Sequence, residues 1–173
     1  MPQIMIPAIA DDGSHYPVEK LDAHVRGNLH LAVSIFVFSG TKLLLQQRAL
    51  GKYHSGGLWA NTVCTHPNWG EDIAGCASRR IVEELGFSIP LKHAGEIKYS
   101  ADVGSGLTEN EHVHLFVGHT DAEQVLPDPD PAEVMATRWL SYNEICDGIA
   151  RNPDRFTPWL RIYIRQLSQL FPV

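Results

Sequence analysis

Residues 71–85 constrain this chain more than any other stretch. Ile73, Ala77, Ile81 and Leu85 recur every four residues, so a helix over this span presents one apolar stripe that must be buried against another layer. Gly86 follows where a helix end calls for a left-handed residue. Arg79 with Glu83, and Arg80 with Glu84, are spaced (i, i+4) and predict ion pairs along the helix surface.

The segments around this helix read as strands. Leu31–Phe38 (LAVSIFVF) is apolar and β-branched and predicts a buried strand; Ser39-Gly40 predicts a hairpin turn and Lys42–Gln47 the returning strand. Gly51–Gly57 reads as a loop. Further strands are expected near 96–101, 111–117 and 137–140. The tail carries two helical pieces, Tyr142–Ala150 and one starting at Pro158, where proline suits a first turn. Residues 11–29 read as turns with a short helical piece over Val18–Val25. Strands flanking a central helix and followed by more strands indicate α/β or α+β layering.

With 173 residues the chain fits one domain, 1–173, and its 44% apolar content supplies a core. The net charge of −6 argues against a general nucleic-acid binder. Any phosphate ester must then be met by a few placed cations or a metal. Three cysteines, Cys64, Cys76 and Cys146, form no close pair and give no disulfide or zinc framework. Residues 1–10 lack a charged, apolar leader pattern, and no stretch approaches the ~20 apolar residues that span a bilayer. The expectation is a reduced, cytoplasmic protein that binds neither membrane nor nucleic acid.

Strand alternation orders the histidines and carboxylates. On a strand Glu109 and Glu111 share one face while His112 and His114 take the other, which excludes those two histidines from a site built on the glutamates. His15, His54, His93 and His119 lie in polar, loop-like stretches and are expected at the surface. Cys76 on the helix and Cys146 on the tail helix read as packing, as do Trp59 and Trp139; Trp69 takes no role.

Glu71, Arg79, Ile81, Glu83, Glu84, Gly86 and Phe87 match the Nudix box: Glu, seven residues, Arg, an apolar residue after one more, Glu-Glu, Gly and an apolar residue. The chain departs from the box in two places. Thr65 replaces its first glycine, and Arg80 stands where a second glutamate usually follows the arginine. Losing that carboxylate weakens a hydrolase reading and supplies a forked phosphate donor. Asn61-Thr-Val-Cys64-Thr-His66-Pro, His24 and His30 upstream, Tyr99, Glu109-Asn110-Glu111 and Thr157-Pro158-Trp159 complete the pattern. Together, from about Lys20 to Trp159, the chain resembles the type 1 isopentenyl-diphosphate isomerases, a non-hydrolysing branch of Nudix proteins.

The resemblance implies a Nudix fold: a mixed central sheet sandwiched between helices, with an N-terminal extension and C-terminal helices. It implies an enzyme that moves the double bond of isopentenyl diphosphate to give dimethylallyl diphosphate. An unactivated alkene must be protonated at one carbon and lose a proton from another, which calls for two acid–base groups. The resemblance assigns these to Cys64 and Glu111, with Tyr99 assisting and Trp159 offering an aromatic face to the cation. It assigns His24, His30, His66, Glu109 and Glu111 to one Mn²⁺ or Zn²⁺ and Glu84 to Mg²⁺. Lys20, Arg48, Lys52 and Arg80 fall to the diphosphate. Neither flavin nor nicotinamide is implied, and both monomer and homodimer stay open. Two other readings compete: a Nudix hydrolase of a nucleoside diphosphate derivative, and a Nudix-like binding module without activity.

Overall fold

A computed structural model describes residues 2–172; Met1 and Val173, the ends of the expected 1–173 unit, lie outside the described residues. In chain order the elements are β1 (Met5–Ile9), β2 (His15–Glu19), α1 (Lys20–Arg26), β3 (His30–Ser39), β4 (Lys42–Arg48), β5 (Trp59–Ala60), β6 (Val63–Thr65), α2 (Ile73–Leu85), β7 (Lys92–Gly104), β8 (Leu107–His119), β9 (Val134–Ser141), α3 (Tyr142–Arg151) and α4 (Pro158–Gln166).

β3 organises the molecule. Along one edge it pairs in parallel with β8, from His30 opposite Glu111 to Phe38 opposite His119. Its other edge is shared by β1 at Ala8, by β6 from Val33 to Ile35 and by the hairpin to β4 at Phe38 and Ser39. β9 pairs antiparallel with β4, and β7 with β8, so the sheet is mixed. Because side chains alternate, β3 feeds two cores. Val33, Ile35 and Val37 pack with Ile81 and Leu85 of α2 on one face, while Ala32, Phe36 and Phe38 pack with Trp159, Leu160 and Tyr163 of α4 on the other. The sheet is thus sandwiched between helices, as expected from the Nudix resemblance.

The helix stripe behaves as its spacing predicts. Ile81 and Leu85 are fully buried, and each contributes about 1.5–3 kcal/mol relative to exposure. Asp72 caps the N-terminus by accepting from Gly75 N at 2.8 Å, and Gly86 ends the helix at φ 74°. Arg79 grips both oxygens of Glu71 at 2.6 and 2.8 Å, tying the approach loop to the helix surface.

The N-terminal region departs from expectation. Residues expected as turns form a β1–β2 hairpin in which Pro7 lies opposite Pro17. Pro17 is admitted because β2 is an edge strand, and Pro7 because the pairing of β1 with β3 falls at the neighbouring Ala8. The helical piece begins at Lys20 rather than Val18. β7 and β8 extend well beyond the expected 96–101 and 111–117, because the turn at Ser105-Gly106, both at positive φ, lets the ladder run to its tip.

Candidate active site

The parallel register of β3 and β8 sets His30 directly beside Glu111. Asn110 Nδ2 donates to Gly27 O at 3.1 Å, holding the end of α1 against β8, and so brings His24 to the same place. His66 follows β6 and completes the cluster. One ligand atom from each of His24, His30, His66 and Glu111 lies within 4.8 Å of the others. Glu109 falls outside that set but groups with His24 and His54.

His54 corrects the sequence reading. It was expected at the surface, yet it is buried, with Nε2 3.2 Å from Glu109 Oε1. The loop folds it inward because Arg48 Nη2 donates to His54 O at 3.1 Å and Gln47 Nε2 to Gly57 O at 2.9 Å. No periodicity signals such a placement. His15, His93 and His119 are exposed as expected, although on strands β2, β7 and β8 rather than in loops. His112 and His114 face away from the glutamates. Trp59 is buried in the core on the α4 side, and Trp139 packs against the core on the α2 side. Cys76 is buried among the α2 contacts, and Cys146 is half-buried against the α4-side core.

The donor set suits a divalent cation. His24 and His30 donate from Nδ1 to the carbonyls of Lys20 and Asn28, both at 2.7 Å. That fixes their tautomers and leaves bare Nε2 atoms facing inward, as in many metal sites. His30 Nε2 stands 3.2 Å from His66 Nε2, and Glu111 Oε1 lies 2.9 Å from His66 Nε2. Among the described residues, buried His66 Nδ1 finds no hydrogen-bond partner. Burial holds His66 well below the usual histidine range and lowers His24 too. For His30 burial is outweighed by the Glu111 carboxylate, which raises it. Mixed imidazole and carboxylate ligands fit Mn²⁺ or Zn²⁺.

Cys64 sits on β6, opposite Ser34 in the ladder. Its thiol donates to Asn61 Oδ1 at 2.9 Å and lies 3.2 Å from Ser34 Oγ, which in turn meets Tyr163 OH at 2.8 Å. Burial pushes the thiol's pKa up, so it is held protonated. Ser34 and Tyr163 are absent from the sequence reading, and nothing local announces them. The Tyr99 hydroxyl reaches Glu109 Oε2 at 2.7 Å and Glu111 Oε2 at 2.8 Å. Burial, followed by those carboxylates, keeps the phenol well above its ordinary pKa.

Cys64, His66, Glu109, Glu111 and Trp159 line one cavity, and Lys20, Arg48, Lys52 and Arg80 line it with them. Trp159 is both a core residue and a cavity wall: its ring is buried, with the Arg48 guanidinium 5.2 Å from its centroid. Burial, together with Lys52, Arg80 and Arg48, lowers Lys20 to about 8. Arg80 Nη2 donates to Glu84 Oε1 at 2.6 Å and Gln46 Nε2 to Glu84 Oε2 at 2.9 Å. Glu133, which the sequence does not single out, pairs with Lys52 and lies 3.6 Å from Arg80.

Comparisons with known proteins agree with this architecture. The family described as NUDIX domain matches residues 28–160. An isopentenyl-diphosphate Delta-isomerase of Rhodobacter capsulatus is 51% identical, covering 99% of this chain and 98% of its own. Another of that name, from Roseobacter denitrificans, is 52% identical over 94% of this chain and 92% of its own. Among solved structures, DR0079 from Deinococcus radiodurans has the same fold at TM-score 0.76 and 13% identity, covering 94% of this chain and 98% of that one. The chain belongs to the NUDIX family and, within it, to the isopentenyl-diphosphate Delta-isomerases.

Proposed function

We propose that the chain converts isopentenyl diphosphate to dimethylallyl diphosphate by protonation and deprotonation through a tertiary carbocation. One observation carries the reading: Cys64 lines the same cavity as Glu111, a carboxylate that accepts a hydrogen bond from Tyr99 OH at 2.8 Å. The two groups stand on β6 and β8, strands on opposite edges of β3, and such an arrangement can address two sides of one alkene. Cys64 and Glu111 exchange the protons, and Tyr99 hydrogen-bonds the carboxylate oxygen that is turned away from the histidines. The Trp159 ring shelters the developing cation.

Lys20, Arg48, Lys52 and Arg80 hold the diphosphate, offsetting the negative charge of the chain locally. His24, His30, His66, Glu109 and Glu111 would hold one Mn²⁺ or Zn²⁺ and Glu84 one Mg²⁺, which supply positive charge to carboxylate and diphosphate when bound. The isomerisation moves no net electrons, so neither flavin nor nicotinamide is required. A Nudix hydrolase commonly uses several helix carboxylates, whereas Arg80 stands in place of one of them here, and such a hydrolase would need neither Cys64 nor Trp159. A binding module needs no cysteine facing one cavity with a Tyr99-bonded Glu111. The reading takes the 173-residue chain as one cytoplasmic domain with its cavity lined from a single copy, which serves a monomer or a homodimer equally.

The test is incubation with isopentenyl diphosphate and Mg²⁺ in deuterated water, followed by proton NMR. Dimethylallyl diphosphate carrying deuterium is the expected product. Release of phosphate or pyrophosphate without isomer would overturn the reading.

A further inference from the structure

The face of β7 and β8 turned away from the cavity carries a second cluster that the reaction does not use. His93 Nε2 lies 3.1 Å from His114 Nδ1, and Glu96 Oε1 lies 3.3 Å from that same nitrogen. One ligand atom from each of the three falls within 4.8 Å of the others. His112 Nε2 donates to the second oxygen of Glu96 at 3.0 Å, and its ring stacks on His114 with centroids 5.3 Å apart.

The backbone is bent to make this cluster. His93 and Glu96 are three residues apart, a spacing that sends side chains to opposite faces of a regular strand. The ladder shifts between them: His93 faces Phe116, Gly95 faces Leu115 and Glu96 faces His114. The extra residue is a β-bulge, which re-aims the side chains beside it. Gly95 adopts φ 128°, a conformation that side-chain-bearing residues rarely take, and a Cβ there would meet nothing within 4 Å. The glycine is therefore required by backbone conformation and not by space.

We propose that His93, Glu96 and His114 form a surface site for a borderline divalent cation such as Zn²⁺, distinct from the cavity, with His112 orienting Glu96. Two imidazole nitrogens and a carboxylate are the ligand types such ions take. A hydrogen bond to the second oxygen of a ligating carboxylate is the usual supporting contact. His112 and His114 side chains are largely covered, whereas that of Glu96 is 47% exposed. The ion therefore has an open approach from solvent, and positions remain for water.

The experiment uses the full, untagged chain. Zinc is added and the protein desalted, metal is counted by elemental analysis, and retention on immobilised Ni²⁺ is measured. The His93→Ala/His114→Ala double variant should hold one zinc ion per chain fewer than wild type and lose retention, with isomerase turnover within twofold. His93→Gln, a milder change at an exposed position, should lose the same ion. Gly95→Ala keeps every ligand but strains the bulge, and should bind zinc at least tenfold more weakly. Equal metal content and retention in wild type and the double variant would refute the site, and unchanged zinc affinity in Gly95→Ala would refute the role of the bulge.

Discussion

Tyr99→Phe removes one oxygen and leaves the ring, which packs edge-on against Tyr163 at 5.9 Å. The lost hydroxyl is the hydrogen-bonding group shared between Glu109 and Glu111, at 2.7 and 2.8 Å. A hydrogen bond to an ionised group contributes about 1.5–3 kcal/mol. At about 1.4 kcal/mol per decade, losing it should lower turnover about 10- to 100-fold. The carboxylates stay in place, so KM for the diphosphate should move less than threefold. Turnover is followed by proton NMR and metal content by elemental analysis. Turnover within twofold of wild type, at unchanged metal content, would refute the assignment of Tyr99 to the proton-handling carboxylate.

Cys64→Ser should cut turnover at least ~10²-fold, as expected for a lost acid–base group, while Cys76→Ser, in the α2 packing, should keep activity; steady-state kinetics on both separates them. His66→Ala should lose the cavity metal, because its Nε2 faces both His30 and Glu111, and elemental analysis reads this directly. Lys20, lowered to about 8 by burial and its cationic neighbours, should make kcat/KM fall about fivefold between pH 8 and pH 9 as its charge is lost, a fall that should disappear in Lys20→Met. The unfolded lysine keeps its proton to higher pH, so this group destabilises the fold below pH 8, and that penalty is relieved between about pH 8 and the ordinary lysine value; urea unfolding at pH 7.5 and 9 checks the sign. Gly86→Ala should destabilise by about 2 kcal/mol or more, since φ is 74° and a Cβ would come 2.5 Å from Asp128 O; the urea midpoint reports it.

The elements that can be read locally are those whose pattern is local. The α2 stripe, its Gly86 terminus, the β3–β4 hairpin and the shared face of Glu109 and Glu111 all follow from spacing. The β1–β2 hairpin is hidden because Pro7 and Pro17 suppress the strand signal; Pro17 is tolerable on the edge strand β2, and Pro7 because the pairing of β1 with β3 falls at the neighbouring Ala8. His54 and Glu133 reach the cavity region through loops whose course is set by distant partners. Those partners are Gln47 and Arg48 for the first and Lys52 with Arg80 for the second. Ser34 looks like one polar interruption in a buried strand. Its contacts to Cys64 and Tyr163 exist only once β6 and α4 have packed.

The parallel pairing of β3 with β8 has a consequence for biogenesis. Everything that contributes imidazole to the cavity cluster, with the thiol, is encoded by residue 66, whereas the carboxylates arrive on β8. A chain emerging from the ribosome can join β6 to β3 early, but it gains Glu109 and Glu111 only after some forty further residues, through a long-range parallel contact of the kind that forms slowly. A nascent chain thus passes through a stage at which the imidazoles of the cavity cluster are present and its two carboxylates are not, and the mixed donor set exists only once β8 has paired with β3.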